Sequence, residues 1–248
     1  MRSVAVPSVI MDWDRIDAIL FDLDGVLTPT ATVHMAAWGR MFNEYFAANG
    51  ISPAFTDDDY HEYVDGKPRY DGVRSLLASR GVTLPDGDPS DLPGTETVCG
   101  LGNTKNAAFN KVLQDEGVTP YPGSVAFLDW VVRRGIAVAI VSSSRNAVAI
   151  LQAAGLADRF SVIVDGVVAA DLGLAGKPAP ETFLHAAAEL GVSPERAVVV
   201  EDAVSGVAAG RAGGFGLVLG VDRGAGAEAL LESGADIVVS DLGELVTP

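Results

Sequence analysis

Carboxylate, hydroxyl and ammonium side chains are concentrated in four short segments of this chain, and each segment adjoins an apolar run or a predicted helix. Ligands of an open parallel sheet bind beyond the carboxyl ends of its strands. We therefore expect the four segments to meet at one edge of a sheet. They are Asp22-Leu-Asp24-Gly-Val after IDAILF, Ser142-Ser-Ser144-Arg145-Asn146 after IAVAIV, Gly176-Lys177-Pro178-Ala-Pro180 before a helix, and Glu201-Asp202 after AVVV.

Each segment also has a purely structural interpretation. Asp-Gly is common in turns, and a run of serines can cap a helix. Lys-Pro-Ala-Pro can form a rigid turn, and Glu-Asp is a favourable acidic start for a helix. The occurrence of all four together favours a functional site, because unrelated turns would not be expected to gather carboxylates, hydroxyls and a lysine in one crevice.

The residue types suit phosphoryl transfer. Asp22 and Asp202 can hold a hard cation such as Mg²⁺ through oxygen, whereas a calcium loop is disfavoured because Val26 stands where the next oxygen ligand is expected. Ser142 and backbone N–H groups at a helix start can bind phosphate oxygens. Lys177 can neutralise charge on the nucleophile and the transferring group.

A carboxylate can attack phosphorus and form an aspartyl phosphate. A second carboxyl group, Asp24, can protonate the leaving oxygen and later deprotonate the acceptor. The sequence therefore predicts a Mg²⁺-dependent phosphotransferase with Asp22 as its nucleophile.

Short apolar runs that alternate with helical stretches predict the elements that position these residues. Such alternation implies right-handed crossovers and a parallel sheet. Predicted strands are 16–21, 136–141, 161–164, 197–200, 217–219 and 237–239, and predicted core helices are 124–134, 146–154, 180–190, 205–212 and 225–233. The fold class is α/β, a doubly wound parallel-sheet (Rossmann-like) core with an inserted α-helical cap.

The segment between the first strand and residue 119 breaks the alternation and predicts the cap. It contains helical stretches at 34–48, 57–63, 71–79 and 105–116, with a loop rich in Pro, Gly and Asp before the last one. Hinges are expected at 28–33 and 118–123. The predicted organisation is a leader at 1–14, a core at 15–32 and 120–248, and the cap at 33–119.

The amino-acid composition disfavours some classes of binding partner. Seventeen basic residues against 33 acidic ones give a formal charge of −16, which disfavours nucleic acid and anionic membranes as partners. No apolar run is long enough to span a bilayer. The single cysteine, Cys99, fits a reducing cytosol, so a cytoplasmic location is expected. The protein is also expected to be a monomer.

The four motifs in this order resemble the haloacid dehalogenase superfamily along nearly the whole chain. The resemblance implies roles for the core residues. These are Asp22 as nucleophile, Asp24 as general acid/base and backbone metal ligand, Ser142 and Lys177 as phosphate and charge partners, Asp202 as metal ligand, and Glu201 as a residue that supports the metal site from behind.

A narrower resemblance is to the β-phosphoglucomutase family. The stretch DGVLTPTATVHMAAW is similar to that family's first motif and the helix after it, including its histidine. YVDGKPRYDG resembles the cap loop for substrate recognition, and GNTKNAAF resembles the segment with the cap lysine. Pro29 stands where the family commonly has an acidic residue. The implied additional site residues are His34, Gly66, Arg69, Lys105, Ser144, Arg145 and Asn146.

The leading hypothesis is an isomerase of carbohydrate metabolism, which interconverts β-glucose 1-phosphate and glucose 6-phosphate through a bisphosphate intermediate and phospho-Asp22. The alternative is a sugar-phosphate phosphatase, a hydrolase of the same architecture, in which water takes the phosphoryl group. A non-catalytic binding module is a third hypothesis, and the complete set of motif residues argues against it. Both enzyme hypotheses require Mg²⁺ and a small phosphorylated sugar.

Overall fold

The computed structural model describes residues 12–246. Residues 1–11 of the predicted leader lie outside this range. Among the described residues, no helix has both the length and the apolar character that a membrane span would need.

Within the described range, six parallel strands form one sheet in the order β3-β2-β1-β4-β5-β6. Central β1 has β2 on one side and β4 on the other, with Ala18 opposite both Ala137 and Ala197. The strands are β1 (Ala18–Phe21), β2 (Ala137–Val141), β3 (Val162–Val164), β4 (Ala197–Glu201), β5 (Leu217–Val221) and β6 (Ile237–Val239). This parallel sheet confirms the fold class.

Alternate residues of β1 enter two different apolar clusters. Ile19 and Phe21 pack into one cluster together with Phe127. Ala18 and Leu20 pack into another, on the side of Phe183. All four residues of β1 are fully buried, as expected for a strand with helices on both faces of its sheet.

The α-helices of residues 12–246 fall into two groups. Four of them precede residue 117: α1 (Thr30–Asn49), α2 (Asp57–Asp59), α3 (Arg69–Ser79) and α4 (Val98–Glu116). Six alternate with the later strands: α5 (Pro122–Arg133), α6 (Ala147–Ala153), α7 (Gly166–Leu172), α8 (Glu181–Glu189), α9 (Val204–Ala212) and α10 (Ala227–Glu232).

Helices α1, α3 and α4 contribute to an apolar cluster of their own, which includes Trp38, Phe42, Phe46 and Leu76. Trp38 stacks on Phe42 at a centroid distance of 5.4 Å. A separate cluster supports the interpretation of this segment as a cap. The boundaries at residues 33 and 119 stay a prediction, and we use "cap" below for residues 33–119.

Two helix starts and one additional helix differ most from the sequence-based expectation. Helix α1 begins at Thr30, inside the expected first hinge. Helix α4 begins at Val98, because the Thr97 side chain accepts a hydrogen bond from the Gly100 N–H and caps it. Helix α7 was not predicted at all.

Candidate active site

The carboxyl ends of β1, β2 and β4 lie side by side and position the predicted site. The N–H of Asp22 donates to Val200 at 2.9 Å, so the first residue after β1 is still fixed to β4. Asp202 directly follows β4, and Ser142 directly follows β2. The strand order places these ends next to the point where the chain reverses its direction across the sheet, as expected for ligand sites in this architecture.

One cleft between the cap and the core collects the predicted residues. Lys177 does not line this cleft but lies buried behind it, in contact with Asp22. The predicted residues that line the cleft are Asp22, Asp24, His34, Gly66, Arg69, Lys105, Ser142, Ser144, Arg145, Asn146, Glu201 and Asp202.

Lys177 is held by two carboxylates. Its Nζ lies 2.5 Å from Oδ1 of Asp22 and 2.5 Å from Oε1 of Glu201, and it donates to the carbonyl of Val141 at 2.9 Å. Burial alone would lower the pKa of Lys177, but the two carboxylates raise it above its ordinary value. Lys177 is therefore a permanent cation beside Asp22.

Three buried carboxylates form a candidate metal centre. Asp22, Glu201 and Asp202 each bring one oxygen to within 4.8 Å of the others. Burial raises the pKa of Asp22, with Lys177 offsetting part of the effect. Burial and the nearby Asp65 carboxylate raise the pKa of Asp202. A hard divalent cation would relieve this repulsion, so the donor set fits Mg²⁺.

Glu201 is already engaged by the protein. One of its oxygens pairs with Lys177, and the other accepts hydrogen bonds from the N–H groups of Asp202 and Ala203 at 3.1 and 3.2 Å. Asp22 and Asp202 are thus better suited than Glu201 to bind a metal ion directly. Glu201 orients Lys177 and the loop that carries Asp202.

Gly25 lies where a larger residue would not fit. Its φ of +90° lies in the left-handed region, and a Cβ there would approach Oδ2 of Asp202 to 1.7 Å. Its N–H donates to the carbonyl of Thr28 at 2.7 Å. The turn therefore brings the backbone after Asp24 against Asp202.

The Asp24 carboxylate lies among hydroxyl and imidazole groups. Thr30 donates to it, the Ser142 hydroxyl lies 3.4 Å away, and Nε2 of His34 lies at 3.3 Å. Burial raises the pKa of Asp24, but His34 and Thr30 outweigh burial and leave the pKa below its ordinary value.

His34 connects Asp24 with Lys105. Nζ of Lys105 contacts Nδ1 of His34, and the imidazole stacks on Phe109 at 4.0 Å. Burial, reinforced by Arg69, lowers the pKa of Lys105 to about 7. Burial and Lys105 lower the pKa of His34. A chain of titratable groups from α4 and α1 therefore ends on Asp24.

At the far side of the cleft, Arg69 and Asn146 meet on Asn106. Nη2 of Arg69 and Nδ2 of Asn146 each donate to Oδ1 of Asn106 at 2.7 Å. Burial and the nearby Arg145 lower the pKa of Arg69. Neither arginine forms an ion pair with a carboxylate in the described part of the chain, so both are available to an anion.

Two serine hydroxyls fasten the cap loop to the core. Ser143 donates to the carbonyl of Gly66 at 2.6 Å, and Ser205 donates to the carbonyl of Asp65 at 2.9 Å. Sequence reasoning missed Asn106, Ser143 and Ser205 as site residues. Ser143 lies inside a motif and Asn106 follows the predicted cap lysine, but Ser205 carried no signal of its own.

The model of the haloacid dehalogenase-like hydrolase family matches residues 16–214 of the chain. The chain belongs to this family. A β-phosphoglucomutase of Mycobacterium tuberculosis is 50% identical to it over 243 residues, covering 94% of this chain and 92% of the relative.

A fructose-1-phosphate phosphatase of Escherichia coli is 32% identical, covering 83% of this chain and 97% of the relative. The crystal structure of a β-phosphoglucomutase from Clostridium difficile covers 93% of each chain, with a TM-score of 0.73 and 27% identity. This member of the family is an enzyme of the phosphotransferase type and is similar to β-phosphoglucomutases.

Proposed function

We propose that the protein is a Mg²⁺-dependent β-phosphoglucomutase that works through a phospho-Asp22 intermediate and a sugar bisphosphate. The observation that carries the proposal is that residues able to bind phosphate lie at two places along one cleft. Ser142 lines the cleft beside Asp22, with Lys177 buried behind them. Arg69 and Arg145 line its far side. A mutase needs both places, because its intermediate carries two phosphates. The 50% identity to a β-phosphoglucomutase supports this substrate class.

In the first half-reaction, a carboxylate oxygen of Asp22 attacks the phosphorus of a sugar phosphate. The bond between phosphorus and the leaving oxygen breaks, and Asp24 donates a proton to that oxygen. Lys177 neutralises charge on Asp22 and fixes the orientation of its carboxylate. In the second half-reaction, Asp24 accepts the proton of the attacking hydroxyl group, and the phosphoryl group leaves Asp22.

Asp22, Asp202 and the backbone carbonyl of Asp24 would hold the Mg²⁺ ion, which supplies positive charge to the transferring phosphoryl group. Glu201 keeps Lys177 and the Asp202 loop in place. Ser142 and the N–H groups after it offer hydrogen bonds to phosphate oxygens. The Ser142 hydroxyl already accepts the N–H of Ser144 at 3.1 Å, which shapes this loop.

The cap favours a sugar hydroxyl over water as the acceptor. Arg69 can bind the non-transferring phosphate in a bidentate manner, and Asn146, Ser144 and Arg145 complete that site from the core. His34 and Lys105 couple the cap to Asp24, so that its acid/base function is complete when the cap is closed. Exclusion of water strengthens the electrostatic interactions inside the cleft and limits hydrolysis.

The test is incubation with β-glucose 1-phosphate, Mg²⁺ and a trace of glucose 1,6-bisphosphate, with glucose 6-phosphate and free phosphate assayed separately. We expect glucose 6-phosphate in excess of phosphate. Arg69→Ala should reduce isomerisation far more than hydrolysis of p-nitrophenyl phosphate. Arg40→Ala is the matched control, because Arg40 is an exposed cap arginine paired with Glu44.

Because the chain is similar to a fructose-1-phosphate phosphatase, the experiment must also test a phosphatase function. If the wild type releases phosphate stoichiometrically from each sugar phosphate offered and forms no isomer, the mutase proposal is wrong. The phosphatase then takes its place with the same roles for Asp22 and Asp24.

A further inference from the structure

Arg223, in the loop after β5, crosses the fold to reach the catalytic loop. Its Nε donates to the carbonyl of Gly25 at 3.0 Å, although the two residues are 198 positions apart. The side chain is 18% exposed, so most of the guanidinium is removed from solvent. No motif of the sequence points to this arginine.

The same guanidinium is anchored on three further groups. It stacks on the ring of Tyr121 at 3.9 Å, its Nη1 donates to the carbonyl of Ser240 at 2.9 Å, and its Nη2 lies 3.5 Å from Asp241. Tyr121 belongs to the second expected hinge. A planar cation held on several sides at once has little freedom to move, so it offers the Gly25 carbonyl a fixed donor.

Gly25 follows Asp24 directly, and its two peptide groups are both restrained. Its N–H donates to Thr28, and its carbonyl accepts from Arg223. Gly25 has a φ of +90°. Because glycine has no Cβ, it has more conformational freedom than other residues in the unfolded chain, and contacts in the folded protein must fix its conformation. The Arg223 contact comes from outside the loop.

The second expected hinge, at 118–123, is hydrogen-bonded to the loop that carries Gly25. The N–H of Tyr121 donates to the carbonyl of Leu27 at 2.9 Å, and Arg223 covers the ring of Tyr121. Arg223 and Asp202 also line one small cavity of about 20 Å³. Arg223 thus lies behind the Asp24 turn, the hinge and the metal cluster, while it does not line the substrate cleft.

We propose that Arg223 is a positioning residue that holds the turn at Gly25 and thereby keeps Asp24 in place for proton transfer. The proposal rests on the acid/base role of Asp24 in the proposed function. A displacement of about 1 Å in a reacting group can cost about 10²-fold in rate. The loss should fall mainly on the steps that need the Asp24 side chain, and saturating Mg²⁺ should limit any effect through its backbone carbonyl on the attack by Asp22.

p-Nitrophenyl phosphate separates these steps. Nitrophenolate is a stable anion and leaves without a proton, so its release in a single turnover reports attack by Asp22. Release of phosphate from phospho-Asp22 requires Asp24 to take a proton from water. We expect Arg223→Ala to slow the second step about 10²-fold and to leave the first step almost unchanged.

Two further measurements distinguish a positioning role of the Arg223 guanidinium from a general loss of structure. Guanidinium chloride at non-denaturing concentration should restore phosphate release in Arg223→Ala. Arg223→Lys should restore little, because an ammonium group lacks the planar fork that bonds and stacks at once. Arg211→Ala is the control, because Arg211 bonds to Gly234 and Asp236 at the surface and does not line the cleft.

Equal slowing of both steps, no slowing of either, or a loss that Arg211→Ala reproduces would each overturn the positioning role. The assay does not involve a sugar. If the wild type fails to isomerise sugar phosphates, the proposed function fails while the measurement on Arg223 still stands.

Discussion

Replacement of Lys105 by Met should make the protein more stable at neutral pH. Lys105 is 3% exposed, and its Nζ lies 4.9 Å from the ring of Trp38 and 5.1 Å from that of Phe109. Its polar contact is the imidazole of His34, which is not an anion. A buried ammonium group without a carboxylate partner is costly, and Met keeps the length and apolar contacts of the side chain.

The pKa shift gives the size of this cost. Burial and Arg69 lower the pKa of Lys105 from 10.5 to about 7, and one pKa unit corresponds to about 1.4 kcal/mol. Half of the folded molecules are protonated at pH 7, so the cost at that pH is about 4 kcal/mol. Lys105→Met should recover up to this amount in the free energy of unfolding.

The direction of the change in stability with pH follows from the number of protons that the folded and unfolded states bind at Lys105. Between pH 7 and pH 10.5 the unfolded chain keeps the Lys105 proton and the folded chain has lost it. The stability of the wild type should therefore rise with pH across this window, by about 1.4 kcal/mol per unit for this group. The destabilisation by Lys105 is therefore greatest near and below pH 7, where the folded protein must hold this side chain as a buried cation.

Urea denaturation at a series of pH values from 7 to 9.5 measures both quantities. Lys111→Met is the control, because Lys111 lies on the same helix, is 76% exposed and pairs with Asp115. The difference in stability between Lys105→Met and Lys111→Met should be largest at pH 7 and shrink as pH rises. A difference that is constant with pH, or a Lys105→Met protein less stable than the wild type at pH 7, would refute the reasoning.

Three other changes test the site. Asp22→Asn removes the nucleophile while it keeps the shape, so turnover of p-nitrophenyl phosphate should fall by several orders of magnitude; EDTA should abolish wild-type activity, and Mg²⁺ should restore it. Asp24→Ala should lower turnover about 10²–10⁴-fold with little change in Mg²⁺ affinity by calorimetry, and a collapse of Mg²⁺ binding would make its side chain a ligand. Gly66→Ala places a Cβ 2.3 Å from Oγ of Ser205 and 2.9 Å from Cβ of Ala203; it should raise KM for the sugar phosphate more than KM for the aryl phosphate.

The core of the site could be predicted from the sequence because its residues follow buried strands directly. A parallel sheet brings the carboxyl ends of neighbouring strands together, so the position of Asp22 after β1, Ser142 after β2 and Asp202 after β4 already implied proximity. The central strands were predictable for the same reason, since a strand buried on both faces is apolar throughout.

Helix α7 shows a missed local signal. Asp165 caps it by accepting the N–H groups of Val167 and Val168, and Gly173 ends it in the left-handed region. Both residues are typical of helix ends. The prediction ends the strand at Val164 and assigns no element to the residues between it and Lys177. The start of α4 was missed because Gly100 and Gly102 disfavour helix in isolation.

Long-range contacts could not be predicted from spacing. Ser143 and Gly66 are 77 residues apart, Ser205 and Asp65 are 140 apart, and Arg223 and Gly25 are 198 apart. Each partner is a backbone carbonyl, and every residue has one. A serine or arginine that donates to a distant carbonyl therefore leaves no trace in residue type, and the fold alone selects the pair.

The cap contributes positive charge to the cleft. Lys105 and Arg69 both come from the cap, and burial makes the protonated form of each costly. In the proposed function, a sugar phosphate would bring the negative charge that these two cations lack, and its binding would favour their charged forms. A cap closed over an empty cleft would leave the buried cations without partners, whereas a cap closed over a phosphate would pair them. We therefore propose that substrate favours the closed cap, and that the contact of Lys105 with His34 links this preference to Asp24.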